Sequence, residues 1–142
     1  MTDTKEIIAY VVILVIVLLA AQHLNVVVSG SMEPVFYRGD IVVVEKANLF
    51  GIHEFDNNEV KVGDIVVYNA NPKWCDSPVI HRIIDTKNVN GTTLYEIKGD
   101  HNNVSDPFYV RSSQITDRVI TIGDVPLVIP KIGYITLWVR GL

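Results

Sequence analysis

The sequence is short of three things, and each shortage excludes a class of function. Cysteine occurs once, at Cys75, which rules out an internal disulfide and a cysteine-clustered zinc site. Positive charge is not in excess: twelve Lys and Arg stand against sixteen Asp and Glu, a formal net charge of −4. A basic patch of the kind that holds nucleic acid does not follow from that balance. Gly and Pro number only 9 and 6 among 142 residues, so a fibrous or low-complexity chain is excluded too. The length suits one domain rather than two. No metal, no cofactor and no nucleic-acid partner are expected.

What is abundant is apolar surface, 49% of residues against 20% charged, and it is concentrated at one end. Ile7–Ala21 reads IIAYVVILVIVLLAA without a charge, and QHLNVVV carries the apolar character on to Val28. A helix over 7–28 would be about 33 Å long, enough for a hydrocarbon core of about 30 Å. A cleavable signal peptide is the alternative. A cut after Ala20 or Ala21 would put Leu18 or Leu19 at the −3 position, where a small residue is needed. An uncleaved membrane anchor over residues 1–28 is therefore expected. Its flanking charges, Lys5 against Asp3 and Glu6, leave the orientation unspecified.

Residues 29–142 read as a β-rich domain. Short β-branched runs at 40–47, 64–70, 79–87, 93–99, 115–123 and 134–139 are separated mostly by turn residues, with no convincing helical stretch. Asn90-Gly91 favours the positive φ angles of a type I′ turn, so it predicts an antiparallel hairpin between its flanking runs. Gly39-Asp40 and Gly63-Asp64 each turn directly into an apolar run. The aromatic loop NLFGIHEF, 48–55, is expected to join the core; a dip into the bilayer is the alternative.

Candidate chemistry begins at Ser29-Gly30-Ser31-Met32-Glu33-Pro34. Glycine beside serine leaves the hydroxyl unshielded, as a nucleophile requires, although the same residues also make an ordinary turn. A serine nucleophile needs a base, and the histidines are His23, His53, His81 and His101. His81 stands inside the apolar strand VIHRI, where a purely structural histidine is the alternative. His101 lies in the polar loop GDHNNVSDP with Asp100 and Asp106. That loop fits three readings: orienting a base, binding a cation, or a solvated Asx turn. It lacks the glycine and distal glutamate of an EF-hand.

Taken in order, SGSMEP, RGDIVVVEK, VIHRI, KGDHNNVSD with PF after it, and the tail IPKIGYIT resemble the type I signal peptidase family. The likeness is to its archaeal and endoplasmic-reticulum branch and covers most of residues 5–136. It implies a signal-peptidase-like, mostly β domain on a single N-terminal transmembrane helix. It also implies a serine endopeptidase that removes signal peptides from exported precursors. The serine before methionine is the family's nucleophile, which falls on Ser31. Where the bacterial branch has a lysine base, this sequence has His81. The family's loop aspartates fall on Asp106, the essential one in the histidine branch, and Asp100, a supporting one. The expected oxyanion donors are the Ser31 backbone N–H and the Ser29 hydroxyl. His101 replaces the Asn usual after Gly-Asp and is a rival base.

The resemblance implies three partners: precursors bearing signal peptides, the lipid bilayer, and further subunits of a translocon or peptidase complex. It implies a single-pass protein of the cell membrane or endoplasmic-reticulum membrane, with its catalytic domain on the extracytoplasmic side. Two other functions fit part of the pattern. One is a non-catalytic β scaffold in a secretion complex. The other is a self-cleaving repressor-type protease, which relies on a Ser-Lys dyad and a DNA-binding domain, and neither a helix-turn-helix nor a basic stretch is present. Asn90 and Asn103 both stand in glycosylation sequons, and a glycan on Asn103 would argue against a site in that loop.

Overall fold

The computed structural model describes residues 3–130. The chain opens with helix α1, Thr4–Gln22. Asp3 caps it by accepting from the Lys5 N–H at 3.3 Å, and Glu6 lies in the first turn against the positive end of the helix dipole. At about 1.5 Å per residue its 19 residues come close to the thickness of a hydrocarbon core. The helix is apolar on every face and none of its residues is buried. A helix of that character is built to be surrounded by other apolar matter, not to present one stripe to a core.

α1 stops where polar residues arrive. The His23 ring turns back so that Nδ1 meets the Leu19 carbonyl at 2.8 Å, and the His23 backbone N–H reaches Ala20 O at 3.0 Å. Strand β1, Leu24–Val26, follows at once and pairs antiparallel with β2, Ile41–Lys46. The sheet thus begins before residue 29, and the expected anchor boundary at Val28 lies too late. The reason is that Val26 and Val27 serve the edge of a sheet as well as they would serve lipid. Val27 is 2% exposed and donates to Asp40 O.

The remaining strands are β3, Ile65–Asn69; β4, Pro78–Val89; β5, Thr92–Lys98; β6, Val110–Arg111; β7, Ile115–Val119; β8, Thr121–Ile122; β9, Val125–Pro126; and β10, Val128–Ile129. The large sheet runs β1-β2-β7-β3-β4-β5-β6, with β10 also on β2, while β8 and β9 form a separate ribbon. The first five interior runs read from the sequence all carry strands, whereas 134–139 and most of IPKIGYIT lie outside the described residues. Asn90 and Gly91 have φ of 52° and 82° and join β4 to β5, the type I′ geometry expected of that pair.

Alternation fixes which residues meet. On β4, Val79, His81 and Ile83 are buried on one face, and Ile80, Arg82 and Ile84 turn to the other. The first face joins an apolar cluster with Val66, Tyr68, Tyr95, Ile97, Val110 and Ile115. A second cluster, on Val42, Val44, Ile65 and Val119, takes in Met32 and Phe36. Loop 48–55 divides between the two readings. Phe55 joins the core at 6% exposure, but Phe50 is 81% and Ile52 63% exposed. The core expectation therefore fails for the loop's tip. A two-residue turn leaves no depth in which to bury it.

Candidate active site

Ser31 sits in a run of turns between β1 and β2. Its position is fixed from both sides. Met32 and Phe36, each 1% exposed, anchor the turn in the second cluster, each such burial contributing about 1.5–3 kcal/mol. From the other side, the His101 backbone N–H donates to Ser31 O at 2.8 Å, and the Asp100 N–H approaches Met32 Sδ at 3.4 Å. The loop after β5 is thus laid directly against the serine turn.

His81 reaches the serine from β4. Its Nε2 lies 2.9 Å from Ser31 Oγ, and its Nδ1 lies 2.9 and 2.8 Å from the two oxygens of Asp106. A carboxylate only accepts, so Nδ1 carries the ring proton and Nε2 presents a lone pair to the hydroxyl. The His81 and Asp106 side chains are only 7% and 3% exposed. The Asp106 backbone N–H donates to Ile97 O at 2.8 Å, which seats that carboxylate on the end of β5. Serine, imidazole and carboxylate therefore form one continuous relay. Ser29 Oγ stands 3.1 Å from Ser31 Oγ, so it enters the same hydroxyl network.

Asp100 and His101 stand apart from this relay. Asp100 takes Arg82 in a fork, with Nε to Oδ1 at 2.9 Å and Nη2 to Oδ2 at 2.8 Å, while Arg82 Nη1 donates to Gly63 O at 2.9 Å. The Asp100 carboxylate keeps the Arg82 pKa above its ordinary value. Asp100 thus holds its loop through a guanidinium on the opposite face of β4, rather than through backbone N–H groups of its own turn. The His101 side chain is exposed, and it is the backbone of this residue that touches Ser31. His23 and His53 face the Leu19 and Ala47 carbonyls, away from the serine. Among the described residues, no group of three His, Cys, Asp or Glu side chains is placed to hold a metal ion.

Two residues of the site were not singled out from the sequence. The Tyr68 hydroxyl donates to Asp106 Oδ2 at 2.5 Å. Burial, reinforced by that carboxylate, pushes the phenol far above its ordinary pKa, so it remains a donor. The available signal was an aromatic hydroxyl ending the wholly apolar run IVVY, where a buried O–H requires a partner. The other is Gly99. A Cβ there would lie 2.7 Å from Ser31 O, 2.7 Å from Asn102 Nδ2 and 3.0 Å from His81 Nε2. Only glycine lets the loop come this close to the serine and the imidazole.

The family comparison meets this geometry. The profile described as signal peptidase, peptidase S26, matches residues 2–98, which include Ser31 and His81. This chain belongs to that family. An uncharacterised protein of Methanocaldococcus jannaschii is 34% identical over 183 aligned positions, covering 89% of this chain and 88% of the relative. The signal peptidase complex catalytic subunit SEC11 of Metarhizium acridum is 37% identical over 113 residues, and that of Sclerotinia sclerotiorum 39%. In both cases the alignment takes in 79% of this chain and 60% of the relative. The chain therefore spans about three-fifths of the length of the SEC11 proteins it matches.

Proposed function

We propose that this chain is a membrane-bound serine endopeptidase that cleaves N-terminal signal peptides from precursor proteins. The observation that carries the reading is the relay Ser31 Oγ to His81 Nε2, His81 Nδ1 to Asp106, in a member of the signal peptidase family. Ser31 Oγ attacks the scissile carbonyl carbon as His81 Nε2 takes its proton. Asp106 keeps the imidazole in the right tautomer and stabilises the imidazolium. His81 then gives the proton to the leaving amine, the peptide bond breaks, and the signal peptide is left as an ester on Ser31. Water, deprotonated by the same imidazole, hydrolyses that ester and frees the serine. The Ser31 N–H and the Ser29 hydroxyl are the oxyanion donors in this reading. Tyr68 and Asp100 are positioning residues.

α1 is the membrane span in this reading, and the peptidase domain stands on the extracytoplasmic side, where the ends of exported segments emerge. Its length and uniformly apolar faces support the span. The name of the SEC11 relatives, subunits of a complex, supports further subunits beside this chain. The cheapest test is hydrolysis of a signal-bearing precursor by the full chain in detergent, with Ser31→Ala alongside. Wild type should cleave, and Ser31→Ala should lose about four or more orders of magnitude in kcat/KM. Near-normal cleavage by pure Ser31→Ala would sink the assignment.

A further inference from the structure

The molecule contains two tight turns of the same shape, and one carries the wrong residue for water. Leu49 and Ile52 exchange backbone hydrogen bonds at 2.7 and 2.9 Å around Phe50-Gly51, whose φ values are 51° and 89°. That is a type I′ turn, like Asn90-Gly91 with 52° and 82°. The first central position favours Asn, Asp or Gly, and a bulky side chain there is strained. Phe50 occupies it while 81% exposed, the most exposed large apolar side chain among the described residues, with Ile52 beside it at 63%.

The place of this turn explains the choice. β1 runs away from the end of α1, and β2 runs back antiparallel, so Val44 N–H already meets His23 O at 2.8 Å. The chain beyond Lys46 therefore passes alongside the last turn of the helix. It is fastened there, because the Glu54 carboxylate lies 2.8 Å from His23 Nε2 and accepts the Lys46 N–H at 2.7 Å. Each ring nitrogen of His23 faces an acceptor, Glu54 or the Leu19 carbonyl, so the imidazolium satisfies both. Gln22 of the helix and Leu49 and Phe50 of the turn wall one cavity. The apolar tip thus borders the same cavity as the end of the apolar helix.

We propose that the Leu49–Ile52 turn is a second membrane contact, inserting Phe50 and Ile52 among the lipids beside α1. This rests on α1 spanning the bilayer. The occupant is lipid rather than a protein groove, because the tip projects beside a helix that is itself exposed and apolar on all sides.

The test places nitroxide labels on single cysteines in a Cys75→Ser full-length chain reconstituted in phosphatidylcholine vesicles. The positions are Phe50→Cys, Ile52→Cys, Ile13→Cys in the middle of α1, and Thr92→Cys beside the Asn90-Gly91 turn. Collision with oxygen, which partitions into lipid, is compared with collision with a water-soluble nickel chelate. Retained precursor cleavage identifies the folded variants. Labels at positions 50 and 52 should be shielded from nickel and open to oxygen, as at 13, while 92 is open to nickel. Nickel access at 50 and 52 equal to that at 92, with 13 shielded, overturns the proposal and leaves the span intact. Nickel access at 13 overturns both.

Discussion

His81 and Arg82 are neighbours on β4, and each holds an aspartate from the same loop, yet they do opposite work. Strand alternation sends His81 to the enclosed face, where Asp106 and Tyr68 surround it and its far nitrogen touches Ser31. Arg82 goes to the other face and forks onto Asp100, with side chains 30% and 19% exposed. Both are charge-assisted contacts of similar length. The difference lies in what the basic group has left to offer. A guanidinium stays protonated and only donates, so the Arg82–Asp100 pair can position and nothing more. An imidazole held through one nitrogen still offers a lone pair at the other, which makes its pair an instrument of proton transfer.

The hardest test of that contrast is His81→Lys. Lysine restores a nitrogen and is the base of the bacterial branch, but beside Asp106 it would stay protonated and have no lone pair for Ser31. Cleavage at neutral pH should fall to the level of Ser31→Ala, and substantial activity would mean that Asp106 does not act on the base. Next comes the pair of aspartates. Asp106→Asn should lower kcat/KM about 10³–10⁴-fold by misorienting the imidazole, whereas Asp100→Asn should cost about tenfold or less, through loop geometry alone. Equal losses in a side-by-side assay on one precursor would erase the distinction between the two faces. His101→Asn belongs in the same assay, where a dead variant would transfer the base to His101.

Gly99→Ala probes the approach of the two halves without touching a titratable group. Its Cβ would collide with the Ser31 carbonyl, and a displacement of that kind costs about 10²-fold in kcat/KM. Unchanged turnover would mean that the separation of serine and imidazole is not what the loop sets.

The smallest effect concerns the second histidine–carboxylate contact, His23 with Glu54. The Glu54 carboxylate, then the Leu19 carbonyl, raise the His23 pKa above 6.5. Its contribution to stability is complete below the unfolded-state value and fades as pH climbs through the folded one. His23→Gln should therefore destabilise the full chain by only about 0.5 kcal/mol in mildly acid buffer. The difference from wild type should vanish at alkaline pH. Thermal melts across that range check it, and a gap that widens with pH would contradict the sign.

Much of the sheet was legible in the sequence because strand pairing leaves local marks. The β-branched runs mark the centres of β2, β3, β4, β5 and β7, and Asn90-Gly91 marks the hairpin. β1 was hidden, since an apolar stretch such as NVVV satisfies lipid and sheet alike. Ser31, His81 and Asp106 could be named by family resemblance, and the geometry brings them together. The Arg82–Asp100 fork, the Tyr68 hydroxyl and the closeness of Gly99 to Ser31 arise between residues far apart in the chain. No local pattern announces them. The exposed tip of 48–55 was misjudged because composition alone does not tell a buried aromatic from one held out on a turn.

One residue, His23, separates α1 from β1, and it is bonded on both sides. The β domain therefore has no swinging arm. Its serine is carried at a fixed height over the end of α1, as a blade is carried on a depth gauge. If α1 spans the bilayer and Ser31 cleaves, a precursor is measured before it is read, the length of apolar segment that can sink beside α1 deciding which bond arrives at Ser31. In that reading side-chain preference chooses among the bonds delivered to that height.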